Sequence, residues 1–368
     1  MNKDSKIYVA GHTGLVGSAL VKKLLGKGYK NLVFTPHSDC DLTDYECVTD
    51  FFEKEKPDIV FLAAAKVGGI VANNTYRADF IYQNLQIQNN IIHLSYSNGA
   101  EKLIFLGSSC IYPKNSPQPM KEEYLLTSEL EYTNEPYATA KIAGIKMIES
   151  YNLQYGTNFL AVMPTNLYGY NDNFDLEKSH VLPALIRKMH LAKALSENNF
   201  DIIRKDLTKM PIENICGSNS EKEIINVLKK YGITENGVTL WGSGNPRREF
   251  LHADDLADAV VFIAENVDFK DILKNDYGIE KPDFPFTCKE IRNTHINIGT
   301  GKDISIKELA EIIKNEIVKF NGNLIWDKNK PDGTYRKLLD VSKLHSLGWK
   351  EKTDFLSGIK AVYKNYVL

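Results

Sequence analysis

Mostly apolar runs recur through the first half of the chain, at 6–10, 31–35, 58–64, 102–108 and 158–163. Unbroken apolar runs, unlike alternating ones, mark strands covered on both faces. Between them the apolar residues take helical spacing, at 16–25, 48–55, 78–98 and 137–155. Strand–helix alternation predicts an α/β fold with a doubly wound parallel sheet. Such a sheet receives its ligands at the carboxyl ends of its strands. After Pro164 the alternation lapses. Residues 197–236 are polar and lysine-rich, with one helical candidate at 221–230, and predict a surface excursion. Residues 268–293 predict a second, loop-rich insertion. The expected division is a dinucleotide-binding domain over 1–166, with a return segment at about 247–267. Residues 167–368 then form mainly a smaller α/β substrate-binding domain that carries both insertions.

Composition narrows the class. The chain has 368 residues, 43% hydrophobic and 25% charged, with a net charge of -2. No global field favours nucleic acid or an anionic membrane surface, and no apolar run approaches the ~20 residues of a membrane span. The polar start, residues 1–6, does not read as a signal peptide. The five cysteines, Cys40, Cys47, Cys110, Cys216 and Cys288, are odd in number and irregular in spacing. That predicts neither a disulfide framework nor a metal site, and a reducing, cytoplasmic setting.

The first strand is followed by Gly11-His12-Thr13-Gly14-Leu15-Val16-Gly17, which opens the first helix. Glycines there allow a tight turn, close approach of a pyrophosphate and close packing of the helix on the sheet. The helix N-terminus offers free N–H groups to the phosphates. This is a Rossmann-type turn for a nicotinamide dinucleotide, in the Gly-x-x-Gly-x-x-Gly spacing of short-chain dehydrogenases. The second strand ends in Phe34-Thr35-Pro36-His37-Ser38-Asp39. It has neither the immediate carboxylate that takes ribose hydroxyls nor an arginine for a 2′-phosphate, so NADP(H) and NAD(H) both stay open.

Tyr137 and Lys141 stand one helical turn apart, with Pro136 at the helix start and Ser108 at the end of the preceding strand. Reduction of a ketone needs a proton donor beside the oxygen. A lysine near a phenol is expected to lower its pKa from about 10 towards the working range. Ser108 can hydrogen-bond the substrate oxygen.

Longer runs carry a resemblance. They are Ala-Ala-Ala-Lys-Val-Gly-Gly-Ile at 63–70, Leu-Gly-Ser-Ser-Cys-Ile-Tyr-Pro at 106–113, and Asn-Glu-Pro-Tyr at 134–137. Met-Pro-Thr-Asn-Leu-Tyr-Gly at 163–169 and Lys-Pro-Asp-Gly at 330–333 complete the set. In these the chain resembles the GDP-L-fucose synthase family, the 3,5-epimerase/4-reductases of GDP-4-keto-6-deoxymannose within the extended short-chain dehydrogenases. The resemblance covers nearly the whole chain outside the two insertions. It implies a reductase triad of Ser108, Tyr137 and Lys141, with Cys110 and His180 as epimerisation base and acid. Ala63, Ala64, Lys66, Pro164, Asn166 and Leu167 would join the glycine turn in holding NADP(H). Asn166, Arg187, Lys188, Trp241, Arg248 and Lys330 would meet the GDP-linked keto sugar, Arg187 and Lys188 near the diphosphate. It also implies a homodimer joined through helices 78–98 and 137–155.

Two features depart from the family pattern. Thr13 and Pro36-His37 stand where arginines usually meet the 2′-phosphate of NADPH, and His37, Ser38 or Lys66 could substitute. The insertions are the second departure. One alternative is a C4-reductase of a GDP-6-deoxy-4-keto-heptose that does not epimerise. A non-catalytic cofactor sensor is a third reading, against which the intact triad argues.

Overall fold

The structure, a computed structural model, describes residues 1–330 and 332–368. Pro331 of the Lys-Pro-Asp-Gly run lies outside the described residues. The chain folds as two compact units, crossing between them five times. The first is Met1–Asn171, Glu249–Lys302 and Leu338–Thr353. The second is Asp172–Arg248, Asp303–Lys337 and Asp354–Leu368.

The first unit begins β1 (Ile7–Ala10), α1 (Leu15–Gly26), β2 (Leu32–Val33), α2 (Tyr45–Glu55) and β3 (Ile59–Leu62). It continues α3 (Ile70–Thr75), α4 (Arg77–Ser97), β4 (Lys102–Leu106), α5 (Glu135–Tyr155), β5 (Phe159–Pro164) and β6 (Asn166–Tyr168). The second unit then supplies α6 (Val181–Ser196), α7 (Phe200–Lys209), α8 (Glu221–Lys230), β7 (Ile233–Thr234) and β8 (Gly237–Trp241). The strand β9 (Arg247–His252) leads back to the first unit, with α9 (Ala253–Asn266), α10 (Phe269–Tyr277) and β10 (Ile296–Ile298). The second unit resumes with β11 (Asp303–Ser305), α11 (Ile306–Ile312), β12 (Asn323–Asp327) and β13 (Arg336–Lys337). The helix α12 (Ser342–Ser346) belongs to the first unit and α13 (Phe355–Val367) to the second.

The main sheet of the first unit runs β10-β5-β4-β3-β1-β2, parallel throughout. Its strands are buried on both faces, which is why they read as unbroken apolar runs. Ile7 and Val9 enter one core with α1 and α9, whereas Tyr8 and Ala10 enter the other with α2, α4 and α5. The second strand is shorter than its apolar run, only Leu32–Val33, because Pro36 and the turn after it end the ladder. In the second unit β8 pairs in parallel with β12 and antiparallel with β7.

The surface excursion expected at 197–236 is corrected by packing. Two amphipathic helices fill it, and they bury Ile203, Leu207, Ile224, Val227 and Leu228 in the second unit. Their apolar faces are narrow, so the lysines between them dominate the composition. Residues 268–293 belong to the first unit and likewise hold a helix, α10, which buries Phe269, Ile272 and Leu273. Cys40 and Cys47, expected to be unbonded, are joined by a disulfide. The first turn of α2, capped by Asp44, folds position 47 back beside position 40, a proximity that spacing rules do not encode. Among the described residues no helix is long and apolar enough to cross a membrane, and no cluster could hold a metal ion.

Asp206 on α7 illustrates how deeply the excursion is built in. It accepts from Nε and Nη2 of the buried Arg187 at 3.0 and 2.8 Å, and from the hydroxyl of Tyr366. Asp206→Ala should lower the unfolding free energy by about 3–5 kcal/mol in denaturant titration, because it strands a buried guanidinium. A loss below about 1 kcal/mol would contradict this account.

Candidate active site

In the first unit the site residues gather at the carboxyl edge of the sheet. Gly11 leaves β1 at φ +83°, where a Cβ would lie 2.8 Å from Cα of Ala64. A Cβ on Gly17 would fall inside the carbonyl of Gly11. Both glycines therefore make room for close backbone approach, and Ala63 and Ala64 form the opposite wall. Gly14 is the N-cap of α1 and no acidic residue stands in the first turn. The N–H groups of Leu15, Val16 and Gly17 are thus available to an anion. His12 stacks on Phe34 at 4.8 Å between centroids, and Thr13 follows it in the turn. The backbone of Lys66 is clamped by buried Asn84, through bonds of 3.0 Å in each direction.

Ser108 caps a short 3₁₀ turn, Ser109–Ile111, and its Oγ accepts from the N–H of Cys110 at 3.4 Å. Pro136, one residue before Tyr137, stands in the first turn of α5, which begins at Glu135. Burial pushes the Tyr137 phenol far above its ordinary pKa. The Cys110 thiolate would push it further, and a hydrogen bond from Ser108 pulls it down. Lys141 donates to the carbonyl of Leu106 at 2.9 Å. It lies 4.6 Å from the Phe105 ring centroid and 5.8 Å from that of Tyr137. The expectation that Lys141 lowers the Tyr137 pKa is therefore corrected. The low-dielectric surroundings disfavour the phenolate, and the ammonium is turned to the strand end. A neutral phenol remains, which is the form that can give a proton. Lys141 itself is brought down to about 8 by burial. At the end of β5, Pro164 leads through Thr165 to Asn166 and Leu167, and Asn166 Nδ2 donates to the carbonyl of Glu249 at 2.9 Å.

The second unit holds the other predicted groups. His180 flanks the N-terminus of α6 and is accessible, yet loss of hydration lowers its pKa below the ordinary value. Lys188 donates to the carbonyl of Thr239 at 3.3 Å, and burial lowers it to about 8. Trp241, at the end of β8, is 52% exposed, and Lys330 Nζ sits 5.3 Å from its ring centroid. Arg248 is half-buried, donates to the carbonyl of Arg247, and is lowered by burial. Arg187 is the exception. It is fully buried, held by Asp206 and the carbonyls of Phe174 and Met210, so its expected place at a diphosphate is corrected. Among the described residues no carboxylate pairs with Lys141 or Lys188.

The sequence pattern of the NAD dependent epimerase/dehydratase family matches residues 7–210 and 206–278. GDP-L-fucose synthase 1 of Arabidopsis thaliana is 48% identical over 366 residues, covering 100% of this chain and 94% of that one. The chain belongs to this family, and within it to the GDP-L-fucose synthases. Two solved structures from Campylobacter jejuni are also close. A GDP-6-OMe-4-keto-L-xylo-heptose reductase is 47% identical with a TM-score of 0.89, covering 100% of this chain and 98% of that one. A GDP-D-glycero-L-gluco-heptose synthase, solved in the presence of NADPH, is 46% identical with a TM-score of 0.88, covering 100% and 99%.

Two groups at the site escape motif reading. Glu249 holds the segment around Asn166, and Asp172, raised by burial to about 7, opens the loop that leads to His180. The sequence signal for Asp172 is its place just after the run at 163–169, and for Glu249 its place next to Arg248.

The buried lysines of this family member make a pH prediction. An ammonium depressed to about 8 is protonated in the unfolded chain up to its ordinary pKa. The unfolded state then binds more protons, so the unfolding free energy of the cofactor-free protein should rise from about pH 8 to about pH 10. Lys141→Met and Lys188→Met should each flatten that rise. An identical slope in both variants would refute the assignment.

Proposed function

We propose that the protein is an NADP(H)-dependent epimerase/reductase that converts a GDP-4-keto-6-deoxy sugar to its reduced product. The observation that carries this reading is the cluster of Ser108, Cys110, neutral Tyr137 and Lys141 at the end of β4, beside a turn that only glycine can form. The cradle at Gly11 and Gly17, the open start of α1 and the unpaired charge of Lys141 suit a dinucleotide. Leu15, Val16 and Gly17 would take its pyrophosphate, and Lys141 its nicotinamide ribose. Ala63, Ala64 and Lys66 would line it, with Pro164, Asn166 and Leu167 at its nicotinamide end. A bound nicotinamide supplies the hydride for C4.

The chain's own groups do the rest. A 4-keto group acidifies the hydrogens at C3 and C5. Cys110 removes such a proton, Ser108 and Tyr137 hydrogen-bond the enolate oxygen, and His180 returns a proton to the opposite face. Tyr137 then protonates O4 as hydride arrives. Lys188, Arg248 and Lys330 hold the diphosphate, and Trp241, largely exposed, stacks on guanine. The same reading makes the protein a cytoplasmic homodimer joined through α4 and α5, which expose Tyr82 and Tyr155.

The likeness to a Campylobacter jejuni GDP-keto-heptose reductase supports a second reading, a C4-reductase of a GDP-6-deoxy-4-keto-heptose that does not epimerise. Deuterium uptake separates the two. In D₂O without NADPH, the wild type should label C3 and C5 of a GDP-4-keto-6-deoxy hexose, and Cys110→Ser should not. Product that keeps its original C3 and C5 configurations, with no label, would replace the epimerase reading by the reductase one. Tyr137→Phe should lower reductive turnover by about 10²–10⁴-fold while leaving NADPH binding nearly unchanged, as followed by nucleotide fluorescence. Retention of a tenth or more of turnover would remove Tyr137 from the role of acid.

A further inference from the structure

Glu249 is fully buried, yet no cation pairs with it among the described residues. Its Oε1 accepts the N–H groups of Thr300 at 2.5 Å and Gly301 at 2.7 Å, and the Thr300 hydroxyl at 3.3 Å. Its Oε2 accepts the N–H of Leu339 at 3.0 Å. Its own carbonyl accepts from Asn166 Nδ2 at 2.9 Å and Thr165 Oγ1 at 3.3 Å. A Cβ on Gly299 would collide with the carboxylate, so a bare position admits it. Burial pushes its pKa up and the three N–H groups pull it down. Three of the five chain crossings lie at this carboxylate. Glu249 begins one segment of the first unit, Gly301 is one residue from the end of that segment, and Leu339 is one residue into the next.

We propose that Glu249 is a positioning residue for the reductase site. One carboxylate ties together the turn at 299–301 and the segment entering at 338. Through its backbone, the same residue holds Thr165 and Asn166 in the strand end assigned to the nicotinamide. The inference rests on the proposed function for that last step. A buried anion held by N–H and hydroxyl donors without a paired cation is costly to keep, and an apolar residue of similar shape would avoid the cost. What an apolar residue lacks is two acceptors on opposite sides. A carboxamide lacks one of them, since its NH₂ would face a donor either at Leu339 or at the 300–301 pair.

The test compares wild type, Glu249→Gln and Glu249→Asp by amide hydrogen exchange and NADPH titration, followed by kcat and KM with a GDP-4-keto sugar. In Glu249→Gln, exchange should quicken by about tenfold or more at 166–168, 299–301 and 338–340, with β1 and β3 unchanged. The Kd for NADPH should rise about tenfold, and Glu249→Asp, which keeps both acceptors, should recover part of it. Uniform acceleration across the first unit, or unchanged NADPH affinity, would overturn the proposal. Should Glu249→Gln not fold, Thr165→Val removes only the hydroxyl arm and keeps the shape. Local exchange and NADPH affinity equal to wild type in that variant would overturn the proposal as well. Exchange and NADPH binding need no turnover. A wild type that binds NADPH but reduces no GDP-keto sugar would therefore strike the function and leave this test standing.

Discussion

A parallel sheet buried on both faces has no room for polar side chains along its strands, so its chemistry must collect where the strands stop. Every group assigned to the reaction in the first unit obeys this constraint. The glycine turn follows β1, Ala63 and Ala64 follow β3, Ser108 and Cys110 follow β4, and Pro164 to Leu167 end β5 and start β6. The helices that cover the sheet are antiparallel to the strands and start at the same edge. The N–H groups of α1 and the Tyr137–Lys141 turn of α5 arrive there for that reason.

Charge burial then sorts structure from function. Arg187 and Lys188 are neighbours on α6. Arg187 meets a carboxylate and two carbonyls and is spent on the fold. Lys188 meets one carbonyl and keeps a depressed pKa, so an anionic ligand would relieve it. Lys141 is in the same condition, and Tyr137 stays protonated because burial outweighs the Ser108 hydrogen bond that favours the phenolate. In the first unit, a neutral phenol and a lysine without a carboxylate partner stand together at the strand ends, as the proposed reduction needs. Glu249 is the opposite case, an anion whose backbone donors come from two separated segments.

Local pattern determined much of this protein. Mostly apolar runs located five of the six strands of the main sheet, all but β10, because strands buried on both faces carry that signature. Tyr137 and Lys141 share a helix face by spacing alone, and the glycines mark a turn whose sterics admit no Cβ. These are properties of neighbours in the chain. Whatever depends on partners distant in sequence was decided only by tertiary structure. The lysine-rich stretch after α6 proved to contribute to the core because six apolar positions on α7, α8 and β7 found a surface to cover. Arg187 became structural through Asp206, and Tyr137 kept its proton through the burial around it. The Cys40–Cys47 bond and the role of Glu249 arise from folding-back that no spacing rule contains. Hydrophobic period and backbone sterics are written residue by residue, but desolvation and pairing of charge exist only once remote segments meet.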